Sequence, residues 1–261
     1  MIRLADKVAL VTGGGRGIGR AIALAFADAG CDVAVSSRTL AELESVAEEI
    51  RSRGCRGLAV VADAMSYQAI KASVQNVVDE LGRIDILVNN AGGIVPGQTP
   101  LGLLSVSHED QAFLDNLQLN LGSAQRASRE VLPHMVKQGY GRIINIGSGY
   151  ARRSSGLIAY SAAKHGVIGL TRATAAEVAS HGVTVNCLCP GWTNTQLVDW
   201  DALAMQWGTD AEGARNRASA ENLQNRVLEP EELGPMATLL ASDEAAGITG
   251  QVISVDGGFG I

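Results

Sequence analysis

Residues 7–19 of the chain read KVALVTGGGRGIG, an apolar run rich in valine followed by a glycine-rich turn that opens a helical pattern. Glycines at such a strand–turn–helix junction let backbone N–H groups at the helix start approach a phosphate, and the helix dipole favours the negative charge. The spacing is G-x-x-x-G-x-G rather than G-x-G-x-x-G, and no Gly-Lys-Ser/Thr follows, so a nucleotide hydrolase is disfavoured. The turn therefore predicts a dinucleotide site.

Short apolar runs alternate with longer helical patterns along the whole chain. This alternation predicts βαβ units, and hence an α/β fold with three layers, in which helices cover both faces of a seven-stranded parallel sheet. We expect one domain over residues 1–261. The predicted strands are 7–11, 32–36, 58–62, 84–88, 142–146, 184–188 and 252–255, and the predicted helices are 18–29, 39–53, 66–81, 107–138, 159–180 and 230–241.

Two segments interrupt this pattern. Residues 93–106 form a turn-rich stretch, and residues 192–228 carry all three tryptophans. Ligands of open parallel sheets bind beyond the carboxyl ends of the strands, so both segments are candidates for a substrate-enclosing lid, the alternative being a solvated connector. The predicted pocket comprises Ile94, Val95, Tyr150, Trp192 and residues between Thr195 and Trp207.

Composition narrows the classes of partner. The chain has 261 residues, of which 46% are hydrophobic and 31 are glycine, and its net charge is −6. That balance disfavours a nucleic-acid or anionic-membrane surface, and no apolar run is long enough to span a bilayer. We expect a cytoplasmic protein. The scattered cysteines indicate reduced packing residues, and neither they nor the histidines have metal-ligand spacing, so no metal site is predicted.

The end of the second predicted strand bears on the choice of cofactor. NAD-binding strands usually end in a carboxylate that accepts hydrogen bonds from the ribose. Here the strand ends Ser36-Ser37-Arg38, with no acid. A guanidinium suits a 2′-phosphate, and we expect Arg16 in the glycine turn to reach the same group. NADP(H) is therefore favoured, with NAD(H) as the alternative.

Tyr160 and Lys164 lie four positions apart, on one face of a predicted helix. An ammonium near a phenol stabilises the phenolate, so we expect Lys164 to lower the pKa of Tyr160 and make it an acid or base near neutral pH. Ser148 follows the fifth predicted strand, at the edge of the sheet where a substrate should bind.

These features occur together with Asn89-Asn90-Ala91-Gly92, Asn120 and Pro190-Gly191 in one order along the chain. In that order and spacing the chain resembles the short-chain dehydrogenase/reductase family, from about residue 4 to the closing Val255-Asp256-Gly257-Gly258. The resemblance implies a Rossmann-like fold, a homotetramer using helices 107–138 and 159–180, and hydride transfer between a nicotinamide and a small carbonyl or secondary-alcohol substrate.

The resemblance also implies a role for each matching residue. Tyr160 would be the general acid/base, Lys164 its partner and a holder of the nicotinamide ribose, Ser148 the partner of the substrate oxygen, and Asn120 the holder of a proton-relaying water. The predicted cofactor-binding residues are Gly13, Gly15, Arg16, Gly17, Ile18, Gly19, Ser37, Arg38, Asp63, Ala64, Asn90, Ala91, Gly92, Tyr160, Lys164, Pro190, Gly191, Thr193 and Thr195.

Two departures from the family pattern concern the substrate. Ser148 and Tyr160 are twelve positions apart, one fewer than is usual, which predicts a shortened loop between them. Gly139 and His181 stand where members that reduce acyl-carrier substrates tend to have basic residues. A 3-oxoacyl-carrier-protein reductase is thus less favoured, although Lys137 and Arg142 lie nearby. An NAD-dependent sugar or secondary-alcohol dehydrogenase and a non-catalytic dinucleotide sensor are also compatible with the sequence.

Overall fold

The computed structural model describes residues 2–95, 110–153 and 157–260, and these ranges contain a seven-stranded sheet flanked by helices. The strands are β1 Val8–Thr12, β2 Asp32–Ser37, β3 Gly57–Val61, β4 Ile86–Asn89, β5 Gly141–Ile146, β6 Val183–Pro190 and β7 Val252–Val255. The helices are α1 Gly17–Asp28, α2 Leu40–Ser52, α3 Tyr67–Leu81, α4 Asp110–Leu117, α5 Ser123–Gln138, α6 Ile158–Val178, α7 Trp200–Trp207, α8 Ala211–Ala220 and α9 Gly234–Ala241.

All strand pairs are parallel, and the strand order is β3-β2-β1-β4-β5-β6-β7. Successive side chains of β1 and β5 enter opposite cores. Val11 and Ile144 join a cluster under α1, α2 and α9, whereas Leu10 and Ile143 join one under α3, α5 and α6. Strands covered on both faces must be apolar throughout, which is why these runs do not alternate with polar residues. The predicted α/β fold with a seven-stranded parallel sheet is confirmed.

Two predicted segments differ in detail from the structure. The described part of helix 107–138 is interrupted by a π-helical turn over Gln118–Gly122, between α4 and α5. Residues 192–228, for which no element was predicted, contain α7 and α8, whose first turns are capped by the Asp199 and Asp210 carboxylates. Of the predicted lid stretch 93–106, residues 96–106 lie outside the described residues.

The strand order places the candidate site. The chain leaves β1 toward β2 on one side, and β4 pairs with β1 on the other, so the carboxyl ends of β1 and β4 flank the point where the direction of winding reverses. Such a point opens a crevice above the sheet. Within the described ranges, every helix is too short or too polar to cross a bilayer.

Candidate active site

The glycine-rich turn is held against β4 by hydrogen bonds. Gly13 and Gly17 have φ of 65° and 53°, a backbone region that side chains disfavour, so glycine is needed at both positions. The Thr12 hydroxyl accepts hydrogen bonds from the N–H groups of Asn90 (3.1 Å) and Ala91 (3.0 Å). The Asn90 amide donates to the carbonyls of Thr12 and Gly13, each at 3.0 Å. The turn is thus rigidly positioned at the switch point.

Gly19 has a packing role in this turn. A Cβ there would collide with the Gly13 carbonyl oxygen and the Asn90 amide nitrogen, so glycine alone lets α1 begin this close to the turn. Gly19 is buried and lines neither of the two cavities described below, unlike Gly13, Gly15 and Gly17.

A first cavity of about 530 Å³ lies over the carboxyl ends of β1, β2 and β3. Arg38 is exposed at its rim, and Asp63 accepts a hydrogen bond from the Met65 N–H (2.9 Å) in the loop after β3. The predicted cofactor-binding residues that line this cavity are Gly13, Gly15, Arg16, Gly17, Ile18, Ser37, Arg38, Asp63, Ala64, Asn90, Ala91, Gly92 and Thr195.

Glu42 brings a carboxylate to this cavity that the strand pattern did not reveal. It lies in the first turn of α2, its Oε2 would stand 3.3 Å from a Cβ on Gly15, and its Oε1 is 3.7 Å from Arg16 Nη1. β2 itself ends without an acid, as predicted, but the first turn of the following helix places the Glu42 carboxylate beside the glycine turn. The sequence signal for this carboxylate is an acidic residue, Glu42, in the first turn of the helix that follows β2.

A second cavity of about 460 Å³ adjoins the first, and seven residues, among them Ile18, Asn90 and Thr195, line both. It lies over the ends of β4, β5 and β6. The structure brings Ser148, Tyr160 and Lys164 together here, along with Pro190, Gly191 and Thr193. The predicted pocket residues Ile94, Val95, Tyr150 and Trp192 line it too.

Lys164 is buried beneath this second cavity. Its side chain is 4% exposed, and its Nζ donates a 2.9 Å hydrogen bond to the Ile146 carbonyl at the end of β5. Burial lowers the pKa of Lys164 to about 8, with the nearby Cys187 and Cys189 thiols acting in the opposite direction. The ammonium is therefore poised to lose its proton within the working range of an enzyme.

The pKa of Tyr160 departs from the direction expected from the sequence. Burial raises it, and a hydrogen bond with Ser148 opposes that rise. Lys164 Nζ lies 5.7 Å from the Tyr160 ring centroid and is already bonded to the Ile146 carbonyl. The expected lowering of the Tyr160 pKa by Lys164 is not seen in this arrangement: burial of the phenol raises that pKa, and Lys164 is not among the groups that shift it.

Asn120 sits behind the second cavity in the π-helical turn, where it is 2% exposed. Its amide clamps the backbone of Gly93, accepting from the N–H (2.9 Å) and donating to the carbonyl (2.8 Å). A Cβ on Gly92 would stand 2.8 Å from Asn120 Oδ1 and 3.4 Å from Lys164 Nζ. Asn120, Gly92 and Lys164 are therefore contiguous, although Asn120 itself lines neither cavity.

A buried polar chain supports these groups from below. The Asn89 amide donates to Ser128 Oγ (3.1 Å) and Asn145 Oδ1 (2.8 Å), and the Asn145 amide donates to Thr171 Oγ1 (2.9 Å). These bonds join α5, β4, β5 and α6. Networks of this kind fix the relative position of the elements they connect. Asn89 thus joins strands and helices on which the candidate site is built.

The second cavity is lined largely by apolar and aromatic side chains. Phe259, Trp207, Leu203 and Asp199 belong to this lining, and sequence reasoning missed Phe259. Tyr150 packs edge-to-face on Trp192 (centroids 6.2 Å apart) and on Phe259 (5.3 Å). Because Phe259 carries no motif, only the fold brings it to the site.

The first cavity fits a dinucleotide. Its floor is the glycine turn, where a side chain in place of hydrogen would meet lining residues such as Asn90, Glu42 and Thr195. The start of α1 supplies backbone N–H groups of the kind that bind phosphate. Arg16 and Arg38 supply cations, and Asp63 and Glu42 supply acceptors, at the end away from Tyr160. The residues that line both cavities, such as Ile18 and Asn90, connect this cavity to the one that contains Tyr160 and Lys164.

Comparison with known proteins agrees with this architecture. Residues 7–203 match the family described as short chain dehydrogenase. The short-chain reductase protein NovJ of Streptomyces niveus is 39% identical over 253 residues, covering 97% of this chain and 94% of that protein. A single-residue variant of actinorhodin polyketide ketoreductase with NADPH superposes with a TM-score of 0.89 at 35% identity, covering 97% of each chain. Carveol dehydrogenase from Mycobacterium avium in complex with NAD gives 0.91 at 27% identity, covering 99% of each chain. The chain belongs to the short-chain dehydrogenase family.

Proposed function

We propose that this oxidoreductase interconverts a carbonyl and a secondary alcohol with NADP(H), and that Tyr160 is its general acid/base. The observation that carries the proposal is the convergence of Ser148, Tyr160 and Lys164 at the inner end of an apolar cavity that adjoins a glycine-floored one. When bound, the nicotinamide supplies or accepts the hydride. The residues of the chain bind the substrate and move the accompanying proton.

Ser148 and Tyr160 share the substrate oxygen in this proposal. The Ser148 hydroxyl lies close enough to the Tyr160 phenol to lower its pKa, so a carbonyl oxygen placed between the two hydroxyls would receive two donors. In reduction the phenol of Tyr160 gives its proton to the developing alkoxide, and in oxidation the phenolate takes the proton of the alcohol. The raised pKa of Tyr160 keeps the phenol protonated at neutral pH, which suits carbonyl reduction.

Lys164 and Asn120 support Tyr160 from behind. Lys164 Nζ is anchored on the Ile146 carbonyl, and with a pKa of about 8 it is able to exchange a proton near neutral pH. Asn120 positions the backbone of Gly93 at the cavity wall. We infer that Lys164 replenishes the Tyr160 proton from this side and holds the ribose of the cofactor.

The preference for NADP(H) rests on Arg16 and Arg38 at the rim of the first cavity. A second cofactor candidate, NAD(H), is favoured by one specific observation, the Glu42 carboxylate beside Gly15, which could accept hydrogen bonds from a ribose hydroxyl. Among solved relatives of this chain, the polyketide ketoreductase variant is in complex with NADPH and carveol dehydrogenase is in complex with NAD.

Replacing Tyr160 with Phe tests the mechanism. We expect kcat for ketone reduction to fall at least about 100-fold, because the proton donor is lost, while the Kd for NADPH changes little. The matched control is Tyr67→Phe. The Tyr67 hydroxyl on α3 donates to Glu130 on α5 (2.9 Å), and neither residue lines the first or the second cavity, so this variant should leave both quantities unchanged. Near-normal turnover of the Tyr160 variant would contradict the mechanism. A wild type that binds NADPH but reduces no carbonyl compound would favour a dinucleotide sensor.

A further inference from the structure

Aromatic side chains are concentrated in the substrate cavity. The chain has three Trp, four Tyr and three Phe, and half of these ten line the second cavity. Four of them form a wall beside the reacting tyrosine, here called the aromatic wall: Tyr150, Trp192, Trp207 and Phe259. These residues come from four separate parts of the chain, so their meeting is a property of the fold.

The aromatic wall has a fixed geometry. Trp192 packs edge-to-face on Tyr150 (interplanar angle 86°) and on Trp207 (85°), and its indole N–H donates to Glu221 at 3.0 Å. Rings locked at right angles present flat faces and edges to a ligand at set positions. A rigid ring system that matches them loses less conformational freedom on binding than a flexible chain.

The charges around the cavity disfavour an anionic substrate. Among the described lining residues Lys164 is the one basic side chain, and its Nζ is directed at the Ile146 carbonyl. Asp199 lines the cavity with a carboxylate, and Glu221 lies behind Trp192. A carboxylate or phosphate on the substrate would meet these acids without a cationic partner.

Three arginines lie near the aromatic residues but outside the cavity lining. Their guanidinium groups stack on rings: Arg153 on Phe259 (4.4 Å to the centroid), Arg217 on Trp207 (4.6 Å) and Arg215 on Trp200 (4.9 Å). They support the rings, and these contacts also occupy ring faces that a cationic substrate would otherwise use.

The geometry points to a neutral, ring-bearing ketone, or the corresponding secondary alcohol, as the substrate class; this inference rests on the proposed function. The apolar ring would pack on the aromatic wall while its carbonyl oxygen reaches Ser148 and Tyr160. Burial and Glu221 raise the pKa of Tyr150 to about 12, so its phenol stays neutral and offers one hydrogen-bonding group to a polar substituent. Sugar acids and acyl thioesters on anionic carriers are disfavoured by the same observations.

A charge series on one ring skeleton tests the inference. The probes are 1-tetralone, a tetralone bearing a carboxylate, a tetralone bearing an ammonium group, and acetoacetyl-coenzyme A, each assayed with NADPH and with NADH. We expect kcat/KM for the neutral ketone to exceed that for the carboxylate probe by about tenfold or more, because the anion loses solvation without gaining a partner. Preference for either charged tetralone or for the thioester would overturn the substrate class while leaving the oxidoreductase function intact. Turnover of no probe at all would overturn both.

Three variants and a binding measurement distinguish a direct role of the aromatic wall in substrate binding from a general effect on folding. Trp207→Ala should weaken binding of 1-tetralone to the cofactor-free protein, measured by calorimetry, by about tenfold. Met205→Ala, on the same helix but 86% exposed, should not. Asp199→Asn keeps a capping side chain and removes the charge, so it should narrow the neutral-to-carboxylate ratio of kcat/KM about threefold or more. An unchanged ratio in this variant, or equal loss of binding in both α7 variants, would contradict the inference.

Discussion

At the scale of single residues, Lys164 is a charged group that the fold removes from water. Lys164 is 4% exposed and has one hydrogen-bond partner within the described residues, the Ile146 carbonyl. Its pKa falls to about 8 because a buried ammonium loses hydration. A protein without catalytic use for this charge would be more stable with an apolar side chain there. Under the proposed function, Lys164 is a position where catalysis opposes stability.

The lowered pKa of Lys164 makes the stability of the fold depend on pH, because folding and proton binding are linked. Because the folded-state pKa of Lys164 lies below its unfolded value, the unfolded chain binds more protons between about pH 8 and 10.5, so this group's contribution to stability improves as pH rises through that window. Lys164→Met should raise the free energy of unfolding at pH 7 by about 1–3 kcal/mol while abolishing turnover.

Urea unfolding of both proteins from pH 7 to 10 measures this difference. The gain from Lys164→Met should shrink as pH rises through 8, since the wild-type lysine is then neutral. Taking the difference between the two proteins removes the titration of other groups, such as Tyr160 and Cys31, that both share. A variant less stable than wild type at pH 7 would contradict this account.

At the scale of elements, both the end of β2 and the start of α2 contribute residues to the first cavity, the proposed cofactor site. Ser37 and Arg38 lie at the end of the strand, and Glu42 in the first turn of the helix lies beside Gly15. The Glu42 carboxylate also pairs with Arg16 of the glycine turn at 3.7 Å. Both charges are partly exposed, so this ion pair orients Arg16 more than it stabilises the fold.

Cofactor preference tests this arrangement. Arg38→Ala should raise the KM for NADPH about tenfold with little change for NADH, since it removes a cation from the 2′-phosphate position. Glu42→Gln should lower the KM for NADPH, because it removes a negative charge that repels the 2′-phosphate. It should raise the KM for NADH, because it removes a carboxylate that accepts a hydrogen bond from a ribose hydroxyl. The control Glu44→Gln, on the same helix and paired with Arg51, should change neither. A higher kcat/KM with NADH than with NADPH in the wild type would refute the proposed preference.

At the scale of the whole molecule, the two faces of the sheet are closed by helices, yet apolar side chains remain on the surface. Leu114 on α4 is 55% exposed and Ile158 at the start of α6 is 40% exposed, and these two helices pack against each other. Exposed apolar groups gathered on adjacent helices are typical of an interface between copies. We propose that this face forms a contact of a homotetramer.

Light scattering coupled to gel filtration measures the assembly. Leu114→Glu should lower the mass of the particle, because a charge buried in an apolar contact lacks a partner. Met205→Glu, an equally drastic change at an exposed site on α7, should leave the mass at the wild-type value. A monomeric wild type, or the same mass for all three proteins, would rule out this interface.

Local sequence patterns determined most of the architecture and predicted the residues that meet in the candidate site. Apolar runs near residues 8, 33, 86 and 144 become strands because their side chains are buried on both faces, and the glycine turn takes its shape from φ values open to few other residues. The spacing of Tyr160 and Lys164 placed both in one cavity, since a helix repeats every three to four residues.

Only the tertiary structure decided the environments of those residues. The direction of the Tyr160 pKa depends on how much water the fold removes, which helix periodicity does not contain. Glu42 reaches Gly15, and Phe259 reaches Tyr150, across chain separations that no local motif spans. Side-chain identity sets which chemistry is available, whereas burial and long-range packing set its charge state and its neighbours. Those two quantities appear only when distant parts of the chain meet.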